Sequence, residues 1–140
     1  MAISGTASAN GKSEAATKAL TEVLVPLFAD PTGDWSQVVD PGKLAAARYR
    51  DESASFAAQG ELANPPYAAA SVTLSKSYDA VARSMDDFVN VAESYSTDKS
   101  DANLANLKAA RADLNTAFAD NKEARTLAGK LADDTSLICN

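Results

Sequence analysis

The 140-residue chain is long enough for one domain with its own core, and its 46% apolar content comes with an aromatic share of only 6% and 30 alanines. The net charge of −6 is spread evenly, eight acids against five bases up to Pro66 and eleven against eight beyond, so neither half offers the clustered Lys and Arg that nucleic acid or an anionic membrane surface requires. Histidine is absent and the single cysteine, Cys139, stands next to the last residue. This removes the commonest general base, the Ser-His-Asp arrangement, an internal disulfide, thiolate metal sites within the chain and the Glu-x-x-His pairs of di-iron bundles.

Met1 to Lys12 consists of Ser, Gly, Ala, Thr and Asn with one Ile and one Lys, without the basic start and apolar middle of a secretion signal. This composition predicts a flexible tether over 1–12. It suits an ordinary terminus, and equally the spacer of an exported or lipid-anchored protein whose signal has been removed. The lone thiol pulls the other way, toward a reducing compartment, so both the cytoplasm and the cell envelope stay open.

Ser13 is a plausible N-cap for a first helix that places Ala16, Leu20, Val23, Leu24, Leu27 and Phe28 on one face. Pro26 lacks an N–H and crowds the carbonyl of Glu22, which predicts a kink or an early stop. Asp30-Pro-Thr-Gly-Asp34 has the chemistry of a turn, and Trp35 to Val39 suits one further helical turn. Asp40-Pro41 then predicts the start of a second helix, with Gly60 as a left-handed stop near Gln59 and Asn64-Pro65-Pro66 as a block. Its stripe of Leu44, Ala45, Ala46, Tyr49, Phe56 and Ala57 is ragged, with Arg48, Arg50, Asp51 and Glu52 assigned to water. The expectation is a loosely packed helix.

A third helix from Pro66 to Ser96 carries the clearest pattern in the chain. Leu74, Tyr78, Val81, Met85, Phe88, Ala92 and Tyr95 recur at alternating steps of four and three. After a break containing two candidate caps, Asp98 and Ser100, a fourth helix runs to Ala132 with Leu107, Ala110, Leu114, Ala117, Asn121, Ala124, Ala128 and Leu131 in register. The fold class is therefore all-α: an antiparallel up-down-up-down four-helix bundle over 13–132 with a long carboxy-terminal helical hairpin, and a frayed end at 133–140.

Chemistry has few places to reside. Asp30 to Asp34 fails as a calcium loop, because an EF-hand needs glycine at the sixth position and glutamate at the twelfth, where this chain has Trp35 and Pro41. The adjacent pairs Asp86-Asp87 and Asp133-Asp134 diverge on a helix, and the scattered glycines make no phosphate loop. No apolar run approaches the length of a membrane span. The expectation is a non-enzymatic chain with no cofactor and no metal.

Binding features remain. Trp35, Tyr67, Tyr78 and Tyr95 combine apolar area with a polar tip, which serves either a core or a recognition surface. Asn121 is the one polar beat of the fourth seam; it fixes register, recognises a ligand or occupies a wet edge. These five are the candidate binding residues. The pattern suits an interaction module that binds a protein partner, with the cell envelope as one setting, or alternatively a carrier of a small apolar ligand or lipid in an alanine-lined cavity.

Overall fold

The computed structural model describes residues 7–133. Four helices pack into an all-α bundle: α1 (Ala7–Ala29), α2 (Val39–Leu62), α3 (Pro65–Thr97) and α4 (Asp101–Asp133), with a 3-10 turn at Trp35–Val38. No described helix is long and apolar enough to cross a membrane. Cys139 and the expected fray beyond Asp133 lie outside the described residues, as does the tether up to Thr6.

The seam of α3 is the axis of the fold. Leu74, Tyr78, Val81, Met85, Phe88, Ala92 and Tyr95 are all buried, and Phe88 is fully enclosed. Leu107, Ala110, Leu114, Ala117, Asn121, Ala124 and Ala128 of α4 are buried in turn. Short connections make the neighbours antiparallel. Between α3 and α4, Ser100 accepts from the Asn103 N–H at 3.1 Å as an N-cap, and the Asn103 side-chain amide donates to the Asp98 carbonyl at 2.8 Å.

Several boundaries differ from the sequence expectation, each for a local reason. Helix α1 begins at Ala7, ahead of Ser13, so Ala7 to Lys12 are helical rather than tether. It also runs through Pro26 to Ala29. Proline removes only its own donor, while burial of Leu27 and packing of Phe28 against Trp35 and Phe88 hold the last turn in place. Asp34, not Asp40, is the capping acid, accepting from the Ser36 N–H at 3.0 Å to start the 3-10 turn that leads straight into α2. Gly60 does not stop α2: no described glycine has positive φ, and the helix ends at Leu62 because Ala63 and Asn64 are extended ahead of Pro65.

Helix α2 is also better packed than its ragged stripe suggests, and α2 against α3 is the most extensive interface in the molecule. Small residues make it so. Gly42 is buried with Val89 where its side chain would stand, and Ser53 and Ser75 clasp each other, each hydroxyl donating to the other residue's carbonyl at 2.8 Å. The Arg50 guanidinium pairs with Asp86 at the rim. Glu52 is not on the water side. It is fully buried, on the stripe of Ala45, Tyr49 and Phe56.

The loose helix is α1. Its backbone packs closely on α2 and the 3-10 turn, whereas α1 and α4, which would complete the ring of a four-helix bundle, stand farther apart and meet through side chains such as Arg111 over the Phe28 ring.

Candidate functional site

The gap between α1 and α4 is a groove, and the helices around it dictate its lining. One stretch, about 710 Å³, has Ser13, Thr17, Thr21 and Val25 of α1 as one wall and Phe118, Asn121 and Arg125 of α4 as the other. Tyr49 of α2 and Tyr78 of α3 form the floor. A second stretch shares Thr17, Thr21, Val25 and Phe118 and continues to Phe28, Phe88 and Arg111. From Ser13 to Phe28 the helical rise gives a length of about 22 Å. Alanine lines neither stretch.

The floor is aromatic because stripe positions of α2 and α3 meet there, with Phe118 of α4 beside the α4 seam. The rings of Tyr49 and Tyr78 lie 5.7 Å apart, Phe118 meets Tyr49 edge-on at 5.9 Å, and Phe56 stacks beneath Tyr78 at 5.4 Å. The Tyr49 hydroxyl shares a 3.0 Å hydrogen bond with Thr17, which ties α1 to α2 at mid-length. At the far end the Arg111 guanidinium sits over the Phe28 ring, 4.4 Å from its centre.

Behind this floor lies Glu52. Burial raises its carboxyl above the usual range; the Ser13 hydroxyl and the positive charge of Arg125 act against that rise, and Glu14 adds to it. Neither carboxyl oxygen closes a hydrogen bond of ordinary geometry with another described residue. Burial likewise pushes the Tyr78 hydroxyl upward, helped by Glu52 and opposed by Arg125 and by a hydrogen bond with Asn121. Tyr49 is raised by burial and lowered by its bond to Thr17.

The five residues singled out by sequence fall in different places. Tyr78 and Asn121 come together in the groove, and the Asn121 amide, 2% exposed, donates to the Ser77 hydroxyl at 3.0 Å. Trp35 is fully buried at the other end of the bundle, edge-on to Phe28 and Tyr95, its indole N–H donating to the Pro31 carbonyl at 2.9 Å. Tyr95 is buried with it. Tyr67, near the start of α3, is half-buried, and its hydroxyl has no hydrogen-bond partner among the described residues.

Tyr49, Glu52, Phe118 and Arg125 belong to the groove or its floor without having been singled out. For Glu52 a signal existed: Ala45, Tyr49, Glu52 and Phe56 follow the same four-three-four rhythm as the α3 seam. Among the described residues no three His, Cys, Asp or Glu side chains converge as a metal site.

No family model matches the sequence, and neither a curated protein nor a solved structure matches it at a significant level.

Proposed function

We propose that the chain is a non-enzymatic interaction module that receives an amphipathic helix of a protein partner in the α1–α4 groove. The observation that carries this reading is the wide backbone separation of α1 and α4, which leaves a long trough walled by exposed Val25 and half-buried Phe118 above the buried rings of Tyr49 and Tyr78. A trough of about 22 Å matches about four helical turns, the usual span of helix-in-groove recognition. Its rims differ in charge: Glu14 and Glu22 outweigh Lys18 on the α1 side, and Arg111 and Arg125 stand on the α4 side. A docked helix with bases toward α1 and acids toward α4 complements both, which fixes its orientation.

A photoreactive residue at Val25, in the groove wall and 64% exposed, tests the proposal in the native host against the same residue at exposed Arg83 on the far side of α3. Adducts from position 25 should map to an amphipathic helical segment of a partner, with none from position 83. Equal labelling at both positions, or none at 25, removes the proposal. A volume of about 710 Å³ also lies in the range of small-molecule sites. A lipid or other apolar molecule retained in native mass spectrometry would assign the groove to a carrier instead.

A further inference from the structure

We propose that Lys108, Arg111, Lys122 and Arg125 form a cationic rail along the groove side of α4, and that the segment docked there is an acidic amphipathic helix with its carboxylates in two clusters about 21 Å apart. The inference rests on the groove being the docking surface and names the chemistry of what docks.

Helical phase sorts the charges of α4. Arg111 and Arg125 line the groove beside Phe118, and Lys108 and Lys122 share their flank, one step further from the seam. Asp113, Asp120 and Glu123 fall on the opposite flank with exposed Leu127. Along the chain the two signs alternate; around the helix they separate. All four bases are exposed, and they form two i,i+3 pairs, 108 with 111 and 122 with 125, set 14 residues apart. That is about four turns, so both pairs stand on one line, about 21 Å from centre to centre. None of the described ion pairs uses this rail. The four that form involve only α2 and α3: Lys43 with Glu93 and Arg50 with Asp86 across the contact, Arg48 with Asp51 and Arg83 with Asp79 within a helix. Arg111 lies on the face of Phe28, which holds the guanidinium in place and leaves its edge donors for a carboxylate.

Opposite the rail, Glu14 and Glu22 outweigh Lys18 on α1, and the chain as a whole carries a net charge of −6. A polyanion charged on every side, such as a nucleic acid backbone, meets repulsion from the α1 rim as it enters the trough. An amphipathic helix confines its carboxylates to one edge. Its apolar face then fits between the two clusters, against exposed Val25 and half-buried Phe118. Each exposed ion pair contributes little by itself, so the rail sets orientation, register and salt dependence more than total affinity.

The probes are three fluorescently labelled synthetic helices of about 18 residues with one common apolar face. The first carries two glutamate pairs about 14 residues apart, the second glutamines at those places, and the third the same glutamates gathered in its central turns. Each is titrated into the full chain and followed by anisotropy. At about 50 mM salt the spaced acidic helix should bind roughly tenfold tighter than the glutamine helix and about threefold tighter than the gathered one, and the advantage should fade at about 0.5 M. K122Q/R125Q removes one pair of exposed bases. It should weaken the spaced acidic helix roughly threefold and leave the glutamine helix unchanged, which also reports an intact groove. Equal affinities for acidic and glutamine helices, or for spaced and gathered ones, overturn the rail but leave the groove as an apolar docking surface. Binding by none of the three, or an acidic advantage undiminished in K122Q/R125Q, also overturns it. So does displacement of the acidic helix by inorganic tripolyphosphate at equal charge, which would make the strip a polyanion site. The crosslinks from position 25 judge the docking surface separately.

Discussion

Two helix pairs in this molecule are built from similar residues and end up as opposites. Between α2 and α3 the backbones approach until Gly42 leaves no room for a Cβ beside Val89, and paired serines exchange hydrogen bonds across the contact. Between α1 and α4 a space of about 710 Å³ stays open over tyrosines. The connections explain much of the contrast. Only Ala63 and Asn64 separate α2 from α3, and three residues separate α3 from α4, so those pairs are held side by side by the chain itself. Helices α1 and α4 are the outermost elements and have no covalent link to set their spacing. Their facing side chains mix Thr17, Thr21, Asn121 and Arg125 with apolar groups such as Val25 and Phe118, and the two walls do not interlock into a closed core at the Ser13 end.

The sharpest way to break this comparison is to cut into the closed side. Phe88→Ala, at a fully enclosed position, should cost about 3–5 kcal/mol in urea denaturation, and a loss below about 1 kcal/mol would mean that the α3 seam is not closed. Gly42→Ala should come next. In an open helix this change gains about 1 kcal/mol, but the added methyl meets Val89, and the net result should be a loss of about 1–2 kcal/mol.

Glu52→Gln sharpens the comparison from the floor of the groove. A carboxyl raised by burial favours the folded state while protonated, so its contribution is fully present below the unfolded value near 4.5 and is lost as pH rises through the higher folded value. Glutamine has no such loss. The variant should match the parent in acid and exceed it by about 1 kcal/mol at neutral pH, and a gain that is the same at every pH would refute the assignment.

The smallest effect on stability belongs to Val25→Ser, in the groove wall. Folding should change by no more than about 0.5 kcal/mol, whereas affinity for the docked partner helix should fall roughly tenfold. Equal loss of stability and binding would place Val25 in the core.

Much of the closed side is legible in the sequence, because heptad spacing in α3 and α4 reports directly which positions face inward. The seam from Leu74 to Tyr95 is buried at every beat. The open side is not legible in the same way. Periodicity ranks positions along one helix but carries no information on the distance between two helices remote in sequence, so Tyr78 and Asn121 read as seam residues without the space beside them. Glu52 misleads for a different reason: its neighbours Arg48, Arg50 and Asp51 are polar, and residue type outweighs its position on the stripe. Trp35 illustrates the reverse, since a solitary tryptophan in a polar loop is drawn fully inside by Phe28, Tyr95 and the Pro31 carbonyl.

The Lys99 ammonium, on the α3–α4 connection, donates to the carbonyls of Thr32 and Gly33 at 2.6 Å each and so fastens together the two loops at the Trp35 end of the bundle. Helix α1 is thereby pinned at its carboxy-terminal end, where Leu27 and Phe28 are also packed. At the Ser13 end no hydrogen bond between loops of this kind occurs among the described residues. Mechanically the helix is therefore held twice, by the loops at its carboxy-terminal end and by the Thr17–Tyr49 hydrogen bond and buried Leu20 further back, so its exposed wall at Val25 is carried on a braced element.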